Sequence, residues 1–217
     1  MTAAPVEPAP PPAVTPAKDV PEDAVTRETV TKTEPFVNSL GMKFVPVPIT
    51  GGPTDGKGVL FSVWETRVQD YRAFIHEKPN RKWPKPDFAQ GDDHPAVNVT
   101  WKDAVAFCRW LTARDRGLGL LGKDEHYLLP SDHEWSCAVG IGTVEDPKAV
   151  PLAKRNGMPG VYPWGTEWPP PKNAGNFYGE ETIRNPMPNH ERIKGYHDGF
   201  DRTAPVGRFA GNDYGLY

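Results

Sequence analysis

The chain has 217 residues, with 25 Lys+Arg against 28 Asp+Glu, 26 Pro, 21 Gly, 7 Trp and 2 Cys. That length predicts one domain with an appendage rather than two domains. Two cysteines, at 108 and 137, exclude a disulfide scaffold and a closely spaced thiol motif.

The appendage lies at the N-terminus, where 8 of the 26 prolines fall within residues 1–35 and no aromatic residue occurs before Phe36. Residues 1–35 are therefore expected to form an Ala/Pro-rich, polyproline-prone linker without a core of its own. The linker carries six acids and three bases, so residues 36–217 hold 22 charges of each sign. A neutral domain argues against electrostatic nucleic-acid binding. No apolar run approaches the ~18 residues of a membrane helix, and no secretory h-region is evident. The default expectation is a cytoplasmic location, or an extracytoplasmic one if an upstream membrane or signal segment exists.

From Phe36 the pattern changes to short apolar runs. Met42–Val47 alternates, and Val59–Trp64 follows beyond a Gly-rich turn, so the two predict a hairpin. Gly51–Lys57 mimics a phosphate-binding loop, but Gly58 stands where a hydroxyl is needed and a strand follows where a helix must begin. Three short helices are then predicted by capping boxes: Thr66 with Gln69, Thr100 with Asp103, and Ser131 with Glu134. The expected inner faces are Val68, Tyr71, Phe74 and Ile75 for the first, and Ala104, Phe107, Cys108 and Leu111 for the second. Gly117 and Gly140 are the expected stops of the second and third. Within the third, His133 and Cys137 imitate a zinc motif, yet Glu134 is committed to the cap. Ser131, Asp132 and His133 are consecutive and cannot form a relay. The histidines at 76, 94, 126, 133, 190 and 197 show no ligand spacing. After Gly140 periodicity nearly vanishes while aromatics persist among Gly, Pro and Asn, the composition of a long functional or metal-ordered loop region.

Eight blocks in order carry a resemblance: Asn38–Phe44 (NSLGMKF), Trp64–Tyr71 (WETRVQDY), His94–Trp101 (HPAVNVTW), Ala106–Trp110 (AFCRW), Leu129–Trp135 (LPSDHEW), Tyr162–Gly165 (YPWG), Ala204–Gly207 (APVG) and Tyr214–Tyr217 (YGLY). Together they resemble the formylglycine-generating enzyme, or sulfatase-modifying factor, family. The resemblance implies a single α+β domain over 36–217 with a C-type-lectin-like core, few short helices and strands, and long irregular loops. It implies, as family activity, oxidation of a sulfatase cysteine to formylglycine by dioxygen and a copper ion held by two cysteines. A sulfatase or another protein or peptide is then the expected substrate.

In the family the counterpart of Tyr214–Tyr217 is followed by a segment of the form D-x-x-G-N-x-W-E-W and a Gly-Gly-Ser, Arg-rich region with the catalytic cysteines. Residues 36–217 are accordingly read as a domain lacking its C-terminal part, inactive as given, with copper expected only in a full-length protein. Cys108 and Cys137 match structural positions of the family. No catalytic residue is assigned. The resemblance also implies a structural calcium site, with the side chains of Asn176 and Asp198 and the carbonyls of Phe177 and Phe200 as ligands. The plain alternative is that Asn176 and Asp198 only make Asx turns. Two further functional readings stay open: a non-catalytic ligand- or partner-binding domain, and a non-haem iron oxidative enzyme of small-thiol metabolism.

Overall fold

The computed structural model describes residues 29–154, 160–181 and 191–217. Most of the linker and His190 lie outside these. The described chain is α+β, with strands β1 (Phe36–Val37), β2 (Lys43–Pro48) and β3 (Gly58–Ser62), then helices α1 (Val68–Glu77), α2 (Trp101–Gly117), α3 (Asp132–Ala138) and α4 (Pro151–Lys154). The strands form one antiparallel sheet in sequence order, with Val45 opposite Phe61 and Val47 opposite Val59. The predicted hairpin is therefore present. After α4, the described residues carry no long helix or strand.

The main core lies between the sheet, α1 and α2. Phe36, Met42 and Phe44 meet Tyr71 and Phe74 of α1 and Phe107, Trp110 and Leu111 of α2. Phe74 and Phe107 cross edge to face at 5.8 Å, a geometry that aligns ring edges with ring faces. Val30 is buried in the same cluster, so the packed body reaches upstream of the boundary expected at residue 36. A second core beneath the hairpin gathers Val47, Ile49, Cys137 and Ala138, with Tyr214 and Leu216 packed against it. Asn212 holds that last segment in place, because its Oδ1 accepts the N–H groups of Tyr214 and Leu216 while its Nδ2 donates to Ala138 O.

Two local expectations are corrected. The first helix is capped at Arg67, not Thr66, and Asp70 rather than Gln69 closes the turn. Thr66 is held extended because its carbonyl accepts from Ala96 N–H, while the Asp70 carboxylate takes the N–H, Nε and Nη2 of Arg67, each at 2.9 Å. The second helix ends at Gly117 as expected, and Gly119 (φ +73°) takes the left-handed conformation just beyond it. Its buried stripe is Phe107, Trp110, Leu111, Thr112 and Asp115, so Trp110 replaces the half-buried Ala104 and Cys108. The other two capping boxes form as expected.

The Gly-rich turn between β2 and β3 is built around His133. A Cβ on Gly52 (φ +73°) would stand 2.9 Å from the His133 ring, so glycine is required there by both space and backbone. The imidazole spans two acceptors, with Nε2 2.8 Å from Thr50 O and Nδ1 2.5 Å from Glu145 Oε1. Glu145 also accepts from Ser136 Oγ and Lys154 Nζ, and Lys154 bridges on to Asp132. His133 is thus a satisfied core residue that clamps the turn to α3 and α4.

Both ring nitrogens face acceptors, so the clamp is complete only with a doubly protonated imidazolium. The Glu145 hydrogen bond, aided by Thr50 O, raises His133 above its ordinary 6.5. Burial works to raise Glu145, but Lys154, His133 and Ser136 bring it below 4.5. The raised histidine contributes stability that is full below pH 6.5 and lost as pH climbs through its folded value. The lowered carboxylate contributes stability present above pH 4.5 and lost as pH falls through its own. Melting temperature should therefore peak between about pH 4.5 and 6.5, and His133→Gln should flatten the alkaline limb. An unchanged alkaline limb in thermal melts of that variant would remove the clamp.

Candidate functional site

The loop region after α4 is organised by an aromatic ladder. Tyr162 and Trp164 flank a tight turn closed by reciprocal hydrogen bonds between Tyr162 and Gly165, which stacks the two rings at 5.0 Å and 6°. Trp168 packs on Tyr162 at 5.4 Å and remains 59% exposed. On the other side Trp164 meets Phe177 at 5.3 Å, and Phe177 meets Tyr196 at 5.8 Å. The ladder therefore runs from an exposed indole inward to two residues flanking the predicted cation loops.

Those loops meet across Asp198. Its Oδ2 accepts Phe177 N–H and its Oδ1 accepts Phe200 N–H, both at 2.8 Å. The second bond is an Asx turn, so that part of the plain alternative is present. The first ties two loops 21 residues apart, which a solitary turn does not do. Asn176 is exposed on the same loop as Phe177. Tyr196 fastens the pair from beneath, its hydroxyl donating to Gly175 O at 2.5 Å and accepting Gly175 N–H at 3.2 Å. Burial raises Asp198 above the usual carboxylate range, against the pull of the Phe200 and Phe177 amides, and the charge of Glu181 pushes it further up.

Glu181 was not singled out by the sequence, which offers only two consecutive glutamates there. Its Oε1 accepts Gly199 N–H at 2.8 Å, so Glu181 and Asp198 are bound by the successive amides of residues 199 and 200. Its Oε2 is buried without a hydrogen-bond partner. His197 lies 2.9 Å from Glu180 and 3.5 Å from Glu181 at the exposed edge.

Among the described residues no three His, Cys, Asp or Glu side chains converge as a conventional metal centre requires. His94 is engaged by Thr203, His133 by the hairpin turn and His197 by the glutamates. The thiols are likewise apart in role. Cys137 fills the second core, while Cys108 lies half-buried on α2 with its thiol pushed up to about 11 by burial.

Removing the Tyr196 hydroxyl would leave Gly175 O without its 2.5 Å donor in a site where Tyr196 is 2% exposed. Tyr196→Phe should lower stability by about 1 kcal/mol and loosen the ladder, read as a red shift of tryptophan emission. An emission spectrum and denaturant midpoint equal to those of the unmutated protein would contradict this.

The match to known proteins covers nearly all of the described chain. The model of the sulfatase-modifying factor enzyme 1-like domain matches residues 15–217. A formylglycine-generating enzyme of Thermomonospora curvata is 30% identical over 64% of this chain and 36% of its own length. The Bos taurus formylglycine-generating enzyme is 33% identical over 58% of the chain and 24% of its length. A Bos taurus protein named inactive C-alpha-formylglycine-generating enzyme 2 is 31% identical over 58% of the chain and 29% of its length. The chain thus spans about a quarter to a third of these relatives. With eight ordered blocks and a family match from residue 15 to residue 217, the chain belongs to the sulfatase-modifying factor family.

Proposed function

We propose that this chain is the scaffold part of a sulfatase-modifying-factor domain with a C-type-lectin-like core. In this reading it receives a protein or peptide segment of the sulfatase kind, orders its loops with calcium, and leaves cysteine oxidation to groups other than Cys108 and Cys137. The state of the two thiols carries the last point. Copper(I) chemistry needs converging, accessible thiolates, whereas Cys137 is 4% exposed in an apolar cluster and Cys108 is held as a thiol. These residues do not fit a copper centre.

Calcium fits better. The proposed set of Asn176, Asp198 and the carbonyls of Phe177 and Phe200 is all oxygen, as a hard cation prefers. Asp198 already joins the two loops that carry this set, through the N–H groups of Phe177 and Phe200. Calcium bound there would neutralise the Asp198 charge and cross-link the 176 and 198 loops. A partner-binding module without oxidase chemistry is the second reading, favoured by the exposed Trp168 capping the stacked Tyr162–Trp164 pair. A histidine-bound iron centre has no support from the dispersed His94, His133 and His197.

Purified chain incubated with copper(I), dioxygen and a sulfatase-motif peptide should yield no aldehyde by mass spectrometry. Turnover that disappears in Cys108→Ser or Cys137→Ser would overturn the assignment of these thiols. Calcium should stabilise the fold relative to chelator by roughly 2.7 kcal/mol at a hundredfold excess over Kd, read as a higher melting temperature, and magnesium should do less. Asp198→Ala should abolish the shift and Asp201→Ala should retain most of it. Identical melts in calcium and chelator would dispose of the site.

A further inference from the structure

We propose that the aromatic surface of Tyr162, Trp164 and Trp168 is a docking site for a polyproline II segment, and that its occupant is this chain's own Pro-rich arm, residues 5–16. The inference rests on that surface and not on the calcium reading. The three rings are continuous, with Tyr162 stacked on Trp164 at 5.0 Å and Trp168 set against Tyr162 at 5.4 Å and 34°. Trp168 is 59% exposed, and Val161, next to Tyr162 in the chain, is 40% exposed. Trp164 donates its indole N–H to Glu167 O at 3.0 Å, whereas among the described residues Trp168 Nε1 has no acceptor. The surface therefore offers flat apolar rings and a free donor in one place. Trp101 and Trp135 are as exposed, but among the described residues neither has a ring partner.

A polyproline II helix is matched to such a surface. It has no internal hydrogen bonds, so its carbonyls are open to a donor, and its pyrrolidine rings pack on aromatic side chains. Proline fixes its shape in advance, so little conformational freedom is lost on docking. Residues 5–16 read PVEPAPPPAVTP, and at three residues per turn Pro5, Pro8 and Pro11 fall on one edge. Glu7 is the only charged residue of that stretch, so laying it on apolar rings desolvates little. The arm also reaches. The packed body takes hold of the chain at Val30, which is buried in the main core. From there back to Pro11 an extended chain spans on the order of 60 Å at ~3.1 Å per residue, enough to cross a domain roughly 40 Å wide. Tethering holds the arm at an effective concentration on the order of millimolar, so a weak contact is occupied and a protein segment seeking the same rings must displace it.

A synthetic peptide of residues 5–16 is the probe, and the readout is the indole N–H signal of Trp168 in proton–nitrogen correlation spectra, identified as the signal lost in Trp168→Phe. Pro5→Ser, Pro8→Ser and Pro11→Ser together alter the arm and leave the residues of both cores untouched. This triple variant should shift the Trp168 signal, and added peptide should restore it saturably. The unmutated protein should bind the peptide at least tenfold more weakly, because its own arm competes. In the triple variant Trp168→Ala should abolish peptide binding, and Trp101→Ala should change Kd less than twofold. A Trp168 signal that is the same in the unmutated protein and the triple variant would overturn the inference. So would an equal peptide Kd for the two, which would mean that the surface takes Pro-rich segments but the arm does not fill it. A Trp168 signal of the unmutated protein that moves on dilution would assign the bound arm to a second copy and overturn the intramolecular contact. None of these readouts involves calcium, so their failure and that of the cation site are distinguishable.

Discussion

With one three-stranded sheet and four helices among the described residues, many loop amides lie outside any ladder, and short polar side chains take a share of them alongside the carbonyls of turns. That requirement shapes the whole molecule. Asn38 Oδ1 takes the N–H groups of Leu40 and Met42 at the first turn. Asp70 takes Arg67 N–H, Asn212 takes Tyr214 and Leu216, and Asp198 takes Phe177 and Phe200. Each such acceptor replaces a stretch of regular structure. The apolar clusters supply the driving force, but these short polar side chains decide where the loops lie against them.

When the acceptor is a carboxylate, the fold gains a charge that it must then balance. At Asp70 the Arg67 guanidinium lies in the same hydrogen-bonded ring, and at Glu145 both Lys154 and His133 are in contact. Those two sites are closed electrostatically. Asp198 and Glu181 are bound by backbone amides, which stabilise an anion but carry no net charge. The imbalance sits where the aromatic ladder ends. Local charge separates the candidate site from the structural carboxylates, since Asp70 and Glu145 touch cationic side chains whereas Asp198 accepts from amides.

How legible this was in the sequence follows the same division. Capping boxes at Thr100 and Ser131 and the Gly-rich hairpin turn use residues within four positions of one another, and they were readable. The Arg67 cap was not, because Thr66 is drawn into an extended bridge with a segment some thirty residues away, where Arg67 pairs with Pro95. Trp110 stands at i+3 from Phe107 and so on the buried face, where Glu77 of α1 accepts its indole N–H at 2.8 Å. The resemblance pointed to Asn176, Phe177, Asp198 and Phe200, whereas Glu181 emerged only once residues 18 apart, Glu181 and Gly199, were seen hydrogen-bonded. Likewise His133 read correctly as a satisfied residue, but its partner Glu145 comes from irregular chain, and Lys154, which bonds Glu145, from the four-residue α4, with no pattern to announce either.

Family membership constrains the scaffold far more than the chemistry. Relatives named as formylglycine-generating enzymes and a relative named inactive match this chain at 30–33% identity over similar spans, so identity over these residues does not separate the two. What this chain's residues specify is a pair of cores, a hairpin clamped by a buried histidine, and loops pinned by acceptors. Such a scaffold can present an aromatic surface whether or not an oxidant is at hand. The burial of both thiols fits that division of labour: Cys137 is matched to Gly142, where any Cβ would lie 2.4 Å from its sulfur, so the sulfur is fixed by packing rather than offered to a metal.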